Sequence, residues 1–200
     1  FTSSNDDEYG GNTNQSATPP AAGDWKWITI NGSPGSTFEH ARVRYGGYSW
    51  ALGSVQPQVQ ATAGALAIRN TTIEYSASGG DGGGVSLNGT SAILENCMIS
   101  GNQNGMRATG GIVEITNCTF SGNSGYGLSL TGTPATLTGN TFTGNSGAAI
   151  IAVDRMPALS GNAASGNVIN GVTLSGTIAN DSTMSANLPW QLNGVTIGSG

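Results

Sequence analysis

The segment LENCMISGN at residues 94–102 is followed by ITNCTFSGN at 115–123, LTGNTFTGN at 137–145 and LSGNAASGN at 159–167. One nine-residue phrase is written four times, and its closing asparagine recurs at 102, 123, 145 and 167, with spacings of 21, 22 and 22 residues. A fixed period of this length marks a repeat architecture. Leucine-rich repeats would need a leucine ladder that is missing here, and helical repeats are longer.

Inside the repeats, apolar residues (Leu94 and Ile99, Ile115 and Phe120, Leu137 and Phe142) alternate with Ser, Thr, Gly and Glu. Further short apolar runs follow at 128–130, 150–153 and 172–174. Period-two runs punctuated by Gly and Asn are strand-and-turn signals. Three short strands per repeat predict one coil of a parallel β-helix, stacked on the next at about 4.8 Å because no coil buries its inner side chains alone. Gly101, Gly122, Gly144 and Gly166 each precede an asparagine, which suits tight turns of left-handed backbone. The column Asn102, Asn123, Asn145 and Asn167 therefore predicts a turn ladder whose amides hydrogen-bond from coil to coil.

Val43 aligns with Ile73 and Ile99, which extends the repeat backwards at spacings of 30 and 26 residues. Longer loops, 48–64 and 76–84, occupy the difference and are expected to project from one face. The expectation is one all-β domain, a single-stranded solenoid of about seven coils of roughly 22 residues. It divides into an irregular polar segment 1–22, coils with long insertions 23–84, regular coils 85–174 and open-ended strands 175–200. GDWKWITI at 23–30 reads as a strand, STFEHARVRYGG at 36–47 as the next pair, and no amphipathic helix is foreseen as a cap at either end.

At 36% hydrophobic the chain has enough apolar residues for a long narrow core. Charged residues are only 8%, and the net charge is −5 with a single lysine, Lys26. That balance offers no cationic surface for phosphate backbones and argues against nucleic acid as a partner. No run approaches 18 apolar residues and the polar opening FTSSNDDEYGG is not a signal peptide, so membrane insertion is not expected. Scarce Lys and Glu beside abundant Thr, Ser and Asn is the composition of exported β-rich chains, so the expected location is extracellular, secreted or at the cell surface.

Three groups of residues stand out as candidate sites. Asp6, Asp7, Glu8, Asn12 and Asn14 are oxygen-bearing and cluster around Gly10 and Gly11. A bent loop of this kind suits Ca²⁺, with Asp6, Asp7, Asn12 and Asn14 as ligands, although the spacing is not that of an EF-hand and a solvated acidic loop is the favoured reading. Trp25, Trp27, Tyr45, Tyr48 and Trp50 would gather at one end, either as a ligand face stacking on sugar rings or as a cap on the core. Cys97 and Cys118 fall in one column of consecutive coils, followed by Asn140 and Asn162. In-register neighbours at about 5 Å permit a disulfide, and two small buried thiols are the other reading.

FTSSNDDEYGG, GDWKWITI, VRYGG, the SGN-type coils and LPWQLNGVTIGSG together resemble the secreted bacterial right-handed parallel β-helix repeat proteins of pectin-lyase-like architecture, over essentially the whole chain. The resemblance, with the usual right-handedness of crossovers between parallel strands, implies a right-handed helix. Lys26 and Trp27 follow GDW where members of the group usually have Gly, and in longer relatives a strand like GVTIGSG opens a further run of coils.

The resemblance also implies polysaccharide lyases and hydrolases as one class, which need a base beside carboxylates or a pair of acids at set separation. Glu95 and Glu114 read as facing opposite sides, Arg44 and Glu74 as an exposed cross-strand ion pair, and His40 as lacking a partner. Threonines 131, 133, 136, 138, 141 and 143 read as alternating between faces, which disfavours ice binding. The favoured expectation is a non-enzymatic extracellular structural module. Its partners would be itself, stacking head to tail through Gly194, Val195, Thr196 and Ile197, or other coils of a larger parent protein. Carbohydrate binding or degradation is the alternative.

Overall fold

A computed structural model describes residues 1–8, 11, 12, 14–31, 35–49, 54–77, 83–179 and 183–198. Three parallel sheets of eight, six and six strands run along the solenoid, and the strands within each sheet come from successive coils. The first sheet runs Ile28–Asn31, Pro57–Thr62, Gly83–Asn88, Met106–Thr109, Leu128–Thr131, Ala148–Val153, Ile169–Ile178 and Trp190–Ile197. The second runs from Ser36–Glu39 to Ala158–Ser160, and the third from Arg42–Arg44 to Ala163–Ser165. This makes six complete coils plus two further strands of the first sheet.

The register follows the repeat. Val43 pairs with Ile73, Ile73 with Ile99, Ile99 with Phe120 and Phe120 with Phe142, so one inward column threads five coils. Phe120 and Phe142 stack at 5.0 Å between centroids and 7° between planes. Each coil contributes similar inward columns from the other sheets, such as Ile68, Leu94, Ile115 and Leu137, and these form the core. At about 25 cal/mol per Å² of apolar area buried, this shared core is what makes each coil depend on its neighbours.

Two polar ladders line the core at the corners. Asn102, Asn123, Asn145 and Asn167 point inward, and each accepts the backbone N–H of the residue in the preceding coil: Ser76 to Asn102, Asn102 to Asn123, Asn123 to Asn145 and Asn145 to Asn167, at 3.0–3.1 Å. Their amides donate to carbonyls of the preceding coil, at Ile73, Ile99, Phe120 and Phe142. The left-handed residues of these turns are the preceding glycines, with φ of 62°, 59°, 64° and 66°, and not the asparagines. Gln58, fully buried, ends the ladder on one side by donating to Asn102 Oδ1 and accepting from Gly46 N–H. Asn170 ends it on the other by accepting from Asn167. The second ladder passes through Cys118, Asn140 and Asn162 and closes on Asn187.

Several expectations need correction. The predicted strand at 23–30 begins only at Ile28, because Trp25 and Trp27 belong to the approach to the first coil. Much of the supposed insertion 48–64 is structure: Tyr48–Ser49 pairs antiparallel with Ser54–Val55, and Pro57–Thr62 is the first-sheet strand of the second coil. Glu114 lies opposite Ile93 and Thr116 opposite Glu95, so Glu95 and Glu114 are two positions apart and share the outer face. Thr136 and Thr138 also share the outer face of the second sheet, and Thr141 and Thr143 that of the third, because the intervening turn resets the alternation.

Both ends are partly covered, where open ends were expected. Phe1 donates its N–H to the Arg42 carbonyl at 2.7 Å and accepts from Arg44 N–H at 3.0 Å, so it continues the third sheet as a parallel strand would. At the other end, Leu188 is buried in the core, Ser185 Oγ donates to the Leu159 carbonyl and the Asn187 amide donates to the Asn162 carbonyl. That segment lies over the last strand of the second sheet and the corner at Asn162. The first sheet alone runs past it.

Candidate functional site

The residues that distinguish this solenoid from a plain stack of coils gather at its two ends, on the outer face of the second sheet, and at one corner. At the N-terminal end, Arg44 is buried between the polar segment and the second coil. It pairs with Glu8 at 2.6 Å, Asp6 at 3.4 Å and Glu74 at 3.5 Å, and Arg42 holds Glu74 at 2.6 Å. The Arg44–Glu74 pair is thus buried rather than exposed, since the polar segment folds over it. Desolvation opposes the charge on Arg44, but the Glu8 hydrogen bond and neighbouring charges outweigh it and leave its pKa raised.

This arrangement decides what the acidic loop does. Asp6 turns inward and accepts from the Thr2 hydroxyl, and Glu8 is taken up by the two arginines. Asn14 donates to Asn5 Oδ1, Asn12 donates to the Ser16 carbonyl, and Asp7 is exposed. Among the described residues no group of three or more His, Cys, Asp or Glu is placed to hold a metal ion. A cation at Asp6 would compete with the guanidinium of Arg44.

The aromatic residues divide between roles. Trp25 packs on the core and donates its indole N–H to the Arg44 carbonyl at 2.7 Å, flat against Gly46, where a Cβ would fall 2.6 Å from its ring. Tyr45 stacks on Tyr75 at 5.5 Å and 14°, with Arg44 4.7 Å above the Tyr45 ring. Trp25 and Tyr45 are therefore part of the end closure, Trp27 and Tyr48 are half-buried beside them, and Trp50 lies outside the described residues. His40 takes a left-handed turn at φ 49° and is exposed.

On the outer face of the second sheet, a shallow groove of about 400 Å³ has a floor of Ala65 and Ala67 and walls of Ile93, Ile112 and Thr37, with Glu114 at its edge. Ile112 is 59% exposed and Ile93 37%. Beside it, Arg69 bridges Glu39 at 3.6 Å and Glu95 at 2.5 Å across three coils. The sequence reading missed this groove: its residues come from four coils and are contiguous only in register.

The first-sheet edges are the third feature. In Trp190–Ile197, Trp190 pairs with Val172, Leu192 with Leu174 and Ile197 with Ile178, and the strand bulges at Asn193 and Gly194, between the Leu174–Leu192 and Gly176–Val195 pairs. Leu192 continues the inward column Ala61, Leu87, Ala108, Leu130, Ala152 and Leu174, yet it is 58% exposed. Ile197 is 74% exposed, Val195 is half-buried, and Gly194 and Thr196 are exposed. At the far end of the same sheet, Ile28 and Ile30 begin these columns and are half-buried.

Cys97 and Cys118 are free thiols, both buried, at the corner between the second and third sheets. They stand in the second ladder between Thr71 and Asn140, and Cys118 Sγ accepts the Cys97 N–H at 3.3 Å as an asparagine oxygen would. The shared hydrogen bond with Cys97, together with burial, raises the Cys118 pKa.

No curated protein and no solved structure matches the chain. The family model of the right handed beta helix region matches residues 28–169, which takes in all six complete coils, and the chain belongs to that family.

Proposed function

We propose that the chain is a non-catalytic structural module of an extracellular or cell-surface protein, and that it stacks end to end through the first sheet. The carrying observation is the open end of the inward columns at Leu192 and Ile197. Hydrophobic side chains aimed along a core, on a strand whose outer hydrogen-bonding edge is unused among the described residues, are suited to receive another parallel strand. The complementary edge is Ile28–Asn31, where Ile28 opens the column that ends at Trp190 and Ile30 the column that ends at Leu192. Docking that edge on Trp190–Ile197 of another copy continues Trp190 on Ile28 and Leu192 on Ile30. Such a contact is head to tail and generates open filaments.

The charge pattern supports a non-catalytic role. Glu8, Glu39, Glu74 and Glu95 are all held by arginines, so they serve as struts. The test is negative-stain imaging and light scattering of the purified chain beside Leu192→Pro, which removes an outward-facing donor and the apolar side chain of the open column from the exposed edge. Filaments or oligomers in the parent and monomers in the variant are expected. A parent that stays monomeric at high concentration, or a variant that still assembles, overturns the reading.

Glycan binding is the second reading, and it is favoured by the groove at Ala67, Ile93 and Ile112 and not by the aromatic end. Binding to a glycan array that is lost in Ala67→Trp, with assembly unchanged, would support it.

A further inference from the structure

We propose that Cys97 and Cys118 form a modification site, a coil-to-coil disulfide that a low-molecular-weight disulfide installs in the folded chain. The inference rests on coil register alone and is independent of end-to-end stacking. Glu95 pairs with Thr116 and Met98 with Thr119, so the two cysteines between these pairs are direct neighbours across adjacent coils. Their Cα atoms are therefore about 5 Å apart, inside the range a disulfide spans. Cys118 Sγ already leans toward the third coil, 3.3 Å from Cys97 N.

Access comes from outside the core. A polar groove of about 410 Å³, lined by Asn70, Asn96, Cys97, Met98, Asn117 and Thr119, opens at this corner. Asn70, Asn96 and Asn117 hold left-handed backbone there, with φ of 48°, 53° and 53°, and are exposed, so Cys97 lies among the groove's lining residues between outward-turned asparagines.

The position is also where the ladder is weakest. Asn140 and Asn162 each make amide bonds in both directions, whereas the cysteines offer sulfur, a poor acceptor, and weak S–H contacts at 3.2–3.4 Å to Ile68, Glu95 and Thr116 carbonyls. A covalent link replaces the rung that amides supply elsewhere.

The chemistry balances as two exchanges. The thiolate of one cysteine attacks a sulfur of the added disulfide, forming a mixed disulfide and releasing one thiol. The second cysteine then displaces the other thiol and closes the Cys97–Cys118 bond, with each protein thiol giving up its proton. The added disulfide is reduced to two thiols and the protein pair is oxidised.

The experiment uses the native folded chain with cystamine as the probe, followed by unfolding, alkylation and intact mass measurement. The expected product has no alkylatable thiol, no retained cysteamine and a mass lower by about two hydrogens. Its melting temperature should rise by about 6–12 °C, reversibly with reductant, for a loop of this length. Cys97→Ser and Cys118→Ser, which keep a small polar group in a column that also holds Thr71, should show neither the crosslink nor the thermal shift. Two thiols still alkylatable after prolonged exposure, a stable cysteamine adduct on the parent chain, or disulfide-linked dimers would each overturn the proposal.

Discussion

Replacing Asn145 by alanine tests whether the inward ladder, rather than apolar stacking alone, holds the coils in register. The Asn145 side chain accepts from Asn123 N–H at 3.1 Å and from the Asn123 amide at 2.8 Å, and it donates to the Phe120 carbonyl at 3.0 Å and Asn167 Oδ1 at 2.7 Å. Truncation removes all four bonds, but two of the severed groups keep a partner. The Asn123 amide still reaches the Ile99 carbonyl, and Asn167 Oδ1 still accepts the Asn145 N–H. The Asn123 N–H is left buried with no acceptor and Phe120 loses its side-chain donor. One orphaned donor costs about 1–3 kcal/mol, and the lost second bond with its small cavity adds about 1–2, for a total near 2–5 kcal/mol. For a chain of this size that lowers the melting temperature by roughly 4–20 °C. Circular dichroism and tryptophan fluorescence should be followed together, because a free energy is defined only where the two transitions coincide. Thr138→Ala, on the outer face, is the control and should shift stability by no more than about 0.5 kcal/mol. Asn123→Ala combined with Asn145→Ala should cost less than the sum of the two, with coupling above about 0.5 kcal/mol. If Asn145→Ala behaves like the surface control, or if the pair is additive, the ladder is not the registering element.

Two further substitutions probe separate links. Arg44→Ala removes the buried partner of Asp6, Glu8 and Glu74, a loss of about 3–5 kcal/mol on the scale of broken buried pairs, and should speed amide exchange in residues 1–8 while sparing the coils beyond Met98; uniform change along the chain would contradict this local role. Gly105→Ala places a Cβ 2.1 Å from the Gly127 carbonyl oxygen, whereas Gly122→Ala meets nothing within 4 Å and strains only φ at 59°. The first should cost more stability in urea unfolding than the second, about 1–3 against 1–2 kcal/mol, and the opposite order would mean that the coils are not in the close approach described.

The regular coils were legible because their inner side chains recur at one period without interruption, and Val43, Ile73 and Ile99 could be aligned across longer spacings by type alone. Pro57–Thr62 was not, since its inward set includes Gln58, a polar residue that sequence patterning places on a surface. Gln58 is buried because it does the work of an asparagine rung at the place where the ladder has no asparagine. The threonine faces were misread for a related reason: the period-two alternation holds within a strand, but the turn at Gly139 and Asn140 resets it, so 138 and 141 are both outward. Phe1 carries no local signal at all. Its place under Val43 follows from Arg44 drawing Asp6 and Glu8 inward, a contact between segments more than thirty residues apart that no window of sequence contains.

The second ladder shows why function here is sought away from the repeat. A column position needs a small side chain that can accept the N–H of the coil before it, and Asn140 and Asn162 meet that need while also donating to carbonyls at Ile115 and Leu137. Thr71 meets it with a hydroxyl accepting from Ala41 N–H, and Cys118 with a sulfur. Different chemistries thus satisfy one geometric demand, which makes the column a property of the fold. What the fold does not demand is an apolar column left open at Leu192, an alanine-floored groove beside Ile112, or two adjacent sulfurs where amides would hold better. Each of these works against burial or hydrogen bonding within the chain, and each gains a physical reason only when something outside the chain meets it: another strand, a ligand or an oxidant.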